Sequence, residues 1–441
     1  MSVVNIIGGG LAGCEAAHYI AARGIKVRLW EMRPQKPTEV HETGYLSELV
    51  CSNSLKSELQ GTAQGLLKAE MRILGSLLLD CAEQTRVPAG SALAVDRIRF
   101  SQLVTQLIEA NPLIEVIREE VLIIPEGEAV IIATGPLTSE EFWQHLQSIT
   151  GNDNLYFFDA VAPSVTAASL NLKKIYRASR YGKGSDDYYN CPLQKEEYEY
   201  FHEQLVAADI KEGHAIDNIP FFNACTPIEV MARRGKDTLR FGPMRPVGLE
   251  NPEDDSRPYA VLQLRQEDKE GRIYGLVGFQ TRLRWGEQDR IFRLIPGLEN
   301  AEFIRYGVMH RNSYINSPRL LYSTLQLKDN PQIFFAGQIT GVEGYMESAA
   351  TGIIAGINAV RFLNEQSLIT PEPVTMLGSL LTFISSAREE NFQPINANFG
   401  LLPPLEKHEK NKKLRYEKYS ERALNSMMEF SELLPGMLKF K

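Results

Sequence analysis

Two of the five cysteines in this 441-residue chain sit where a thiol could do chemistry. Cys51 lies in Leu49-Val50-Cys51-Ser52-Asn53-Ser54, downstream of a loop that begins with Pro34, Pro37 and Gly44. Cys225 lies in Phe221-Phe222-Asn223-Ala224-Cys225-Thr226-Pro227-Ile228-Glu229, with Arg233 and Arg234 close behind. Cations near a thiol raise its thiolate fraction, and a thiolate can add covalently to an electrophilic carbon. The plain alternative is a small buried hydrophobe, which is how Cys14, Cys81 and Cys191 read. An odd number of scattered cysteines, with no CxxC pair, argues against a disulfide framework or a structural zinc site, so no metal is expected.

Such groups need a scaffold, and its first part is at the N-terminus. Val3 to Ile7 is a short apolar, β-branched run followed at once by Gly8-Gly9-Gly10-Leu11-Ala12-Gly13. Gly8, Gly10 and Gly13 form a GxGxxG spacing: the first makes the turn, the second admits a pyrophosphate, and the third lets helix and strand pack closely. A helix over Cys14 to Arg23, closed by Gly24, leads to a strand over Lys26 to Trp30 that delivers Glu31, where an acid grips ribose hydroxyls. This motif alone does not choose between FAD and NAD. A second glycine-rich element, Ile333 to Gln338, ends a strand at Gly337 and runs through Gly341, Gly344, Tyr345, Glu347 and Ser348 into a small-residue helix. Gly337, Gln338, Gly344 and Glu347 are its candidate cofactor contacts. Between the two, Ala129-Val130-Ile131-Ile132-Ala133-Thr134-Gly135 resembles the middle ATG strand of FAD-dependent oxidoreductases, and the three elements in this order point to FAD.

The expected fold class is α/β: a discontinuous Rossmann-type FAD-binding domain with an inserted α+β substrate domain. The FAD domain takes residues 1–162 and 319–365, the insert 163–318, and residues 366–441 form a C-terminal helical tail packed on the FAD domain. Short strands are expected at Tyr259 to Leu264 and Arg272 to Gln280. No apolar run approaches the roughly 20 residues needed to span a bilayer, and the start of the chain lacks a signal peptide, so a soluble cytoplasmic protein is expected. A net charge of -8 disfavours coating nucleic acid by bulk charge, while leaving room for local basic surfaces. Candidates are Arg233, Arg234, Lys236, Arg240 and Arg245; Arg272 to Arg293; and the C-terminal run from Lys407 to Lys418.

Longer segments carry a resemblance over most of the chain. The glycine loop, Leu49 to Glu58, Cys225 to Gly235, Phe241 to Leu249, Val277 to Thr281 with Trp285 to Gln288, Tyr306 to Asn312, and Gly337 to Tyr345 together resemble the folate- and FAD-dependent tRNA (uracil-5-)-methyltransferases, TrmFO. Asn223-Ala224 and Thr226 depart from the family pattern next to Cys225. The resemblance implies that methylenetetrahydrofolate supplies a one-carbon unit, reduced FAD a hydride, and NADPH or NADH the reducing equivalents, giving 5-methyluridine in the T-loop of tRNA. Uracil C5 becomes nucleophilic when a thiolate adds to C6, and a hydride then reduces the exocyclic methylene to methyl. On this reading Cys225 adds to uracil and Cys51 is the flavin-side thiol, although the two roles can be exchanged. Phe222 and Trp285 are candidates to hold the base or the pterin, and His310, Arg311 and Asn312 to orient the flavin or the folate tail. Beyond folate, nicotinamide and tRNA, no obligate protein partner is expected. Alternatives are the same chemistry on ribosomal RNA, an NAD(P)H-dependent flavin oxidoreductase acting on a small metabolite, and a non-catalytic RNA-binding flavoprotein.

Overall fold

The computed structural model describes residues 2–125, 129–151, 155–182, 185–210, 226–252, 256–407 and 409–434. Its centre is a five-stranded parallel sheet in the order Ile333–Phe335, Ala129–Ile132, Val3–Ile7, Lys26–Trp30, Ile114–Ile117. Strands buried on both faces read as continuous apolar runs, and Ala129–Ile132 is buried at every position. Parallel neighbours require crossovers, and the one joining Val3–Ile7 to Lys26–Trp30 is the helix Leu11–Ala21.

That helix packs against the late helix Tyr345–Leu363, and glycines set how closely. A Cβ on Gly352 would lie 2.2 Å from the carbonyl oxygen of Ala12, and one on Gly356 would lie 3.2 Å from Cα of Ala16. The two glycine-rich elements, more than 300 residues apart in sequence, are thereby locked into one wall.

Between Lys26–Trp30 and Ile114–Ile117 the chain builds a cap of three helices, Ala63–Ile73, Leu77–Gln84 and Arg97–Glu109, beside a small antiparallel sheet of Ser54–Ser57, Ala92–Val95 and Arg86–Val87. A second core forms on a six-stranded antiparallel sheet: Tyr176–Arg177, Tyr189–Leu193, Ala260–Gln266, Ile273–Leu276, Ser164–Thr166, Phe303–Arg305. Val165, Phe201, Leu262, Phe279 and Phe292 fill it, separately from the core under the parallel sheet. The strand expected to run to Gln280 stops at Leu276, because the chain turns at Gly278, whose φ of 77° suits glycine.

Leu155–Ala160 and Met309–Tyr314 pair antiparallel on either side of this segment, placing His310 opposite Asp159 and Asn312 opposite Phe157. Residues beyond Asn364 form two helices, Met376–Ser386 and Lys412–Glu432, whose Leu377, Leu380, Met427 and Phe430 join the first core. The first of these helices begins on a buried carboxylate: Met376 and Leu377 donate their amides to Glu70 at 2.7 and 2.8 Å. Among the described residues, no helix is long and apolar enough to cross a membrane.

Candidate active site

Two adjoining clefts open where the parallel strands end, as ligand sites in open α/β sheets do. The first, about 1020 Å³ with its mouth, is lined by Gly8, Gly10, Leu11, Ala12, Glu31, Arg33, Thr134, Gly135 and Gly337 among others. The second, about 1130 Å³, is lined by Cys51, Asp159, Arg265, Gln280, His310, Asn312, Glu343, Gly344 and Glu347 among others. Val50, Pro136, Gln338 and Tyr345 line both.

The glycine loop has the local geometry a dinucleotide needs. Gly8 turns at φ 109°, where a Cβ would meet the carbonyl oxygen of Ala133 at 2.4 Å. At Gly13 a Cβ would sit 1.9 Å from the carbonyl oxygen of Gly8, so helix and strand could not approach as they do. A Cβ on Gly10, by contrast, would meet nothing within 4 Å: the loop presents bare backbone to the first cleft. The helix Leu11–Ala21 has no side-chain cap at its N-terminus, leaving amides for an anion.

Glu31 is buried and lines this cleft, but it also holds the loop, accepting the Gly9 amide at 3.1 Å and Arg33 Nε at 2.8 Å. Burial pushes its carboxyl upward, and the Arg33 hydrogen bonds and charge outweigh that and hold it below the ordinary range. Arg33 is itself fixed by Glu48 at 3.2 Å.

On the same wall, close enough to Ala12 that an added Cβ would touch it, Gly337 adopts φ 84° and donates its amide to Thr351 Oγ1 at 2.7 Å. Gln338 reaches into both clefts and donates to Glu343 at 2.6 Å. Gly344, at φ 123°, starts the following helix, and Glu347 accepts the Ala397 amide at 3.0 Å from a buried position at the edge of the second cleft.

Cys51 sits in the second cleft with its Sγ donating to Asp159 Oδ2 at 3.3 Å. Burial, followed by the charge and hydrogen bond of Asp159, pushes this thiol well above its ordinary pKa. Its loop is pinned from two sides. Tyr345 Oη accepts the amides of Cys51 and Ser52 at 2.8 and 3.1 Å, while Arg265 donates to Asn53 and Ser52, each at 2.7 Å. His310 Nε2 lies 3.9 Å from the same Asp159 oxygen, and burial lowers its pKa despite that neighbour. Thiol, carboxylate and imidazole ligand atoms all fall within 4.8 Å of one another, a donor set that can also hold a soft divalent ion. Glu343 is raised to about 8 by burial, then by the Asp159 charge.

Asp159, Glu343, Arg265 and Tyr345 were not singled out as catalytic or binding residues from sequence. The one available signal for Asp159 was a carboxylate inside the otherwise apolar run Leu155 to Ala160. Arg311 is not brought into either cleft: strand alternation turns it away from His310, and its guanidinium lies 4.2 Å from the Tyr156 ring centre. Trp285 is 63% exposed, stacked on Tyr306 at 5.3 Å, and outside both clefts. Phe222 and Cys225 lie outside the described residues. Just beyond them, the amide of Ile228 donates to the carbonyl of Gln280, a lining residue of the second cleft, at 2.8 Å.

Residues 3–367 match the family model described as glucose inhibited division protein A. Over 434 residues the chain is 69% identical to the methylenetetrahydrofolate–tRNA-(uracil-5-)-methyltransferase TrmFO of Syntrophomonas wolfei, covering 98% of this chain and 100% of that protein. It is 58% identical to the protein of the same name from Moorella thermoacetica over 431 residues, 97% of this chain and 99% of that one. The solved structure of Aquifex aeolicus GidA in its form I crystal superposes with a TM-score of 0.70 at 18% identity, covering 98% of this chain and 76% of that one, and so shares its fold. With nearly full-length identity at this level, the chain belongs to the TrmFO family.

Proposed function

We propose that this protein transfers a one-carbon unit from methylenetetrahydrofolate to C5 of a uridine in tRNA, using FAD, with NADPH or NADH as the reductant. The observation that carries the reading is the Cys51 thiol set against Asp159 in a cleft that adjoins the dinucleotide cleft and shares Gln338 and Tyr345 with it. FAD, bound and reduced by NADPH or NADH, would supply the hydride that completes the methyl group.

The chain's own groups divide the remaining work. The bare glycine loop and the amides at the N-terminus of Leu11–Ala21 take the pyrophosphate, and Glu31, locked by Arg33, fixes the loop and faces the ribose. Gln338, Gly337 and Gly344 border the flavin side. Cys51, kept as a thiol by burial and by Asp159, exchanges a proton with that carboxylate; it is poorly suited to attack as a free thiolate. The nucleophile that adds to uracil C6 is therefore assigned to Cys225. Asp159 is the acceptor for the Cys51 proton, and Glu343 is a second buried acid beside it. The segment 163–318 reads as the substrate domain, because it has a core of its own and delivers Arg265, Gln280, His310 and Asn312 to the second cleft.

The test is incorporation of labelled one-carbon unit from methylenetetrahydrofolate into unmodified tRNA with NADPH present, comparing wild type with Cys225→Ala and Cys51→Ala. Label recovered as 5-methyluridine with wild type and lost in both variants supports the reading. NADPH oxidation with bound FAD but no label in tRNA overturns it, and moves the substrate to ribosomal RNA or a small metabolite.

A further inference from the structure

Asn312 is 1% exposed and lines the second cleft, yet neither the nitrogen nor the oxygen of its carboxamide has a hydrogen-bond partner among the described residues. Buried polar groups are nearly always paired, and leaving one unpaired costs the full desolvation of that group, so two on one side chain call for an explanation. Among the described residues the surroundings supply no internal partner. Directly opposite on the neighbouring strand is Phe157, whose side chain offers only a ring. Two residues along the same face in one direction, Tyr314 is satisfied by the carbonyl of Phe392 at 3.2 Å. Two residues along in the other, His310 also carries a buried, unpartnered Nδ1 and lines the same cleft. The unsatisfied groups are thus confined to the part of the strand that forms the cleft wall.

A free carboxamide presents one donor beside one acceptor. Its complement is a ring edge with an N–H beside a C=O, the edge of a cyclic imide. A ring edge with two adjacent donors would call for a carboxylate instead. We infer that Asn312 is a binding residue for the imide edge of the ring admitted to the second cleft, accepting from the ring N–H and donating to the adjacent carbonyl. Two cyclic imides belong to the reaction proposed above, on which this inference rests, the isoalloxazine of FAD and the target uracil; the pterin of methylenetetrahydrofolate carries the same N–H beside a C=O as a lactam.

Asn312→Leu has nearly the same shape and no polar atoms, so it removes the unpaired groups without opening a cavity. Asn312→Ala provides the same comparison if the leucine packs poorly. Each holoenzyme is compared with wild type for its melting temperature without RNA, its flavin affinity and visible spectrum, and its kcat/KM for unmodified tRNA. If the imide is uracil's, Asn312→Leu raises the melting temperature by about 2 °C, leaves the flavin spectrum and the KM for methylenetetrahydrofolate unchanged and lowers kcat/KM for tRNA about tenfold. If it is the flavin's, flavin affinity falls about tenfold, the spectrum shifts and the holoenzyme melts lower. Either pattern supports the inference and names the ring. It is overturned if flavin affinity, spectrum and kcat/KM all stay within twofold of wild type, whatever the melting temperature does. Wild-type enzyme that labels no tRNA counts against the proposed function and leaves the flavin arm readable; normal wild-type labelling with inert Asn312 variants counts against this inference alone.

Discussion

Replacing Asp159 with asparagine should push thiol reactivity and catalysis in opposite directions. The carboxylate oxygen sits 3.3 Å from Cys51 Sγ and opposes thiolate formation. Even screened as in bulk water, a unit charge at that distance is worth about 1.3 kcal/mol. That corresponds to roughly eightfold in the thiolate fraction. Nucleophilicity falls as a thiol becomes more acidic, with a Brønsted slope near 0.45, which trims the gain in alkylation rate to about threefold. At an effective dielectric of about 20 the same arithmetic gives roughly a hundredfold. Asp159→Asn should therefore be alkylated by iodoacetamide at Cys51 between about three and a hundred times faster than wild type, while methyl transfer slows because the thiol has lost its proton acceptor. Timed alkylation at neutral pH, without folate or RNA, followed by mass spectrometry of the Cys51 peptide, measures this. Cys14, Cys81 and Cys191 are fully buried and raised by that burial, so they serve as unreactive internal controls. An unchanged or slower rate at Cys51, with the protein folded, would refute the argument that Asp159 holds the proton on this thiol.

Gly13→Ala forces a methyl onto the Gly8 carbonyl, which should cost about 1–3 kcal/mol of stability and strip flavin from the purified protein, read from the flavin-to-protein ratio. Glu70→Ala leaves two buried helix amides without an acceptor and should destabilise by about 2–4 kcal/mol in urea unfolding. Burial raises Glu70 from 4.5 to about 8, so the folded state holds its proton more tightly than the unfolded. The stability this contributes is present below about pH 4.5 and is lost as pH rises through about 8. Glu70→Gln should flatten that slope, and an identical slope would show that Glu70 is not its source. Trp285→Ala should leave flavin content unchanged and weaken tRNA binding by about 1–3 kcal/mol in filter binding, if the exposed Trp285–Tyr306 stack receives a base; affinity within twofold of wild type would remove it from the RNA surface.

The cofactor half was legible because its signals are local. Strand, glycine turn, helix, strand and acid occupy residues 3–31, and the strands Val3–Ile7 and Lys26–Trp30 have the bounds read from the sequence. The glycines also declared their role in advance, since only a residue without Cβ fits at Gly13. The acid beside Cys51 was not legible. Asp159 is 108 residues away and comes from a strand that carries no motif, and Arg265, which pins the cysteine loop, is 212 residues from Asn53. Arg311 shows a subtler limit: a His-Arg-Asn triplet reads as one group until it is known to be a strand, and then its members alternate between faces. The helix Met376–Ser386 was hidden among prolines, yet Pro371 and Pro373 precede its Thr375 cap, where proline does no harm.

The paired strands Leu155–Ala160 and Met309–Tyr314 bear on how the molecule is made. On the ribosome the first of them emerges roughly 150 residues before its mate. At typical synthesis rates of about 5–20 residues per second, that interval is roughly 8 to 30 seconds. Throughout it Asp159 has no His310 facing it, Ala129–Ile132 still lacks its outer neighbour Ile333–Phe335, and the wall that Tyr345 forms over Cys51 does not exist. The nascent chain therefore carries an open nucleotide sheet and an unsheltered thiol until its last quarter is translated. Pairing over so long a stretch of chain is slow to form, so the closure of this site comes late in folding.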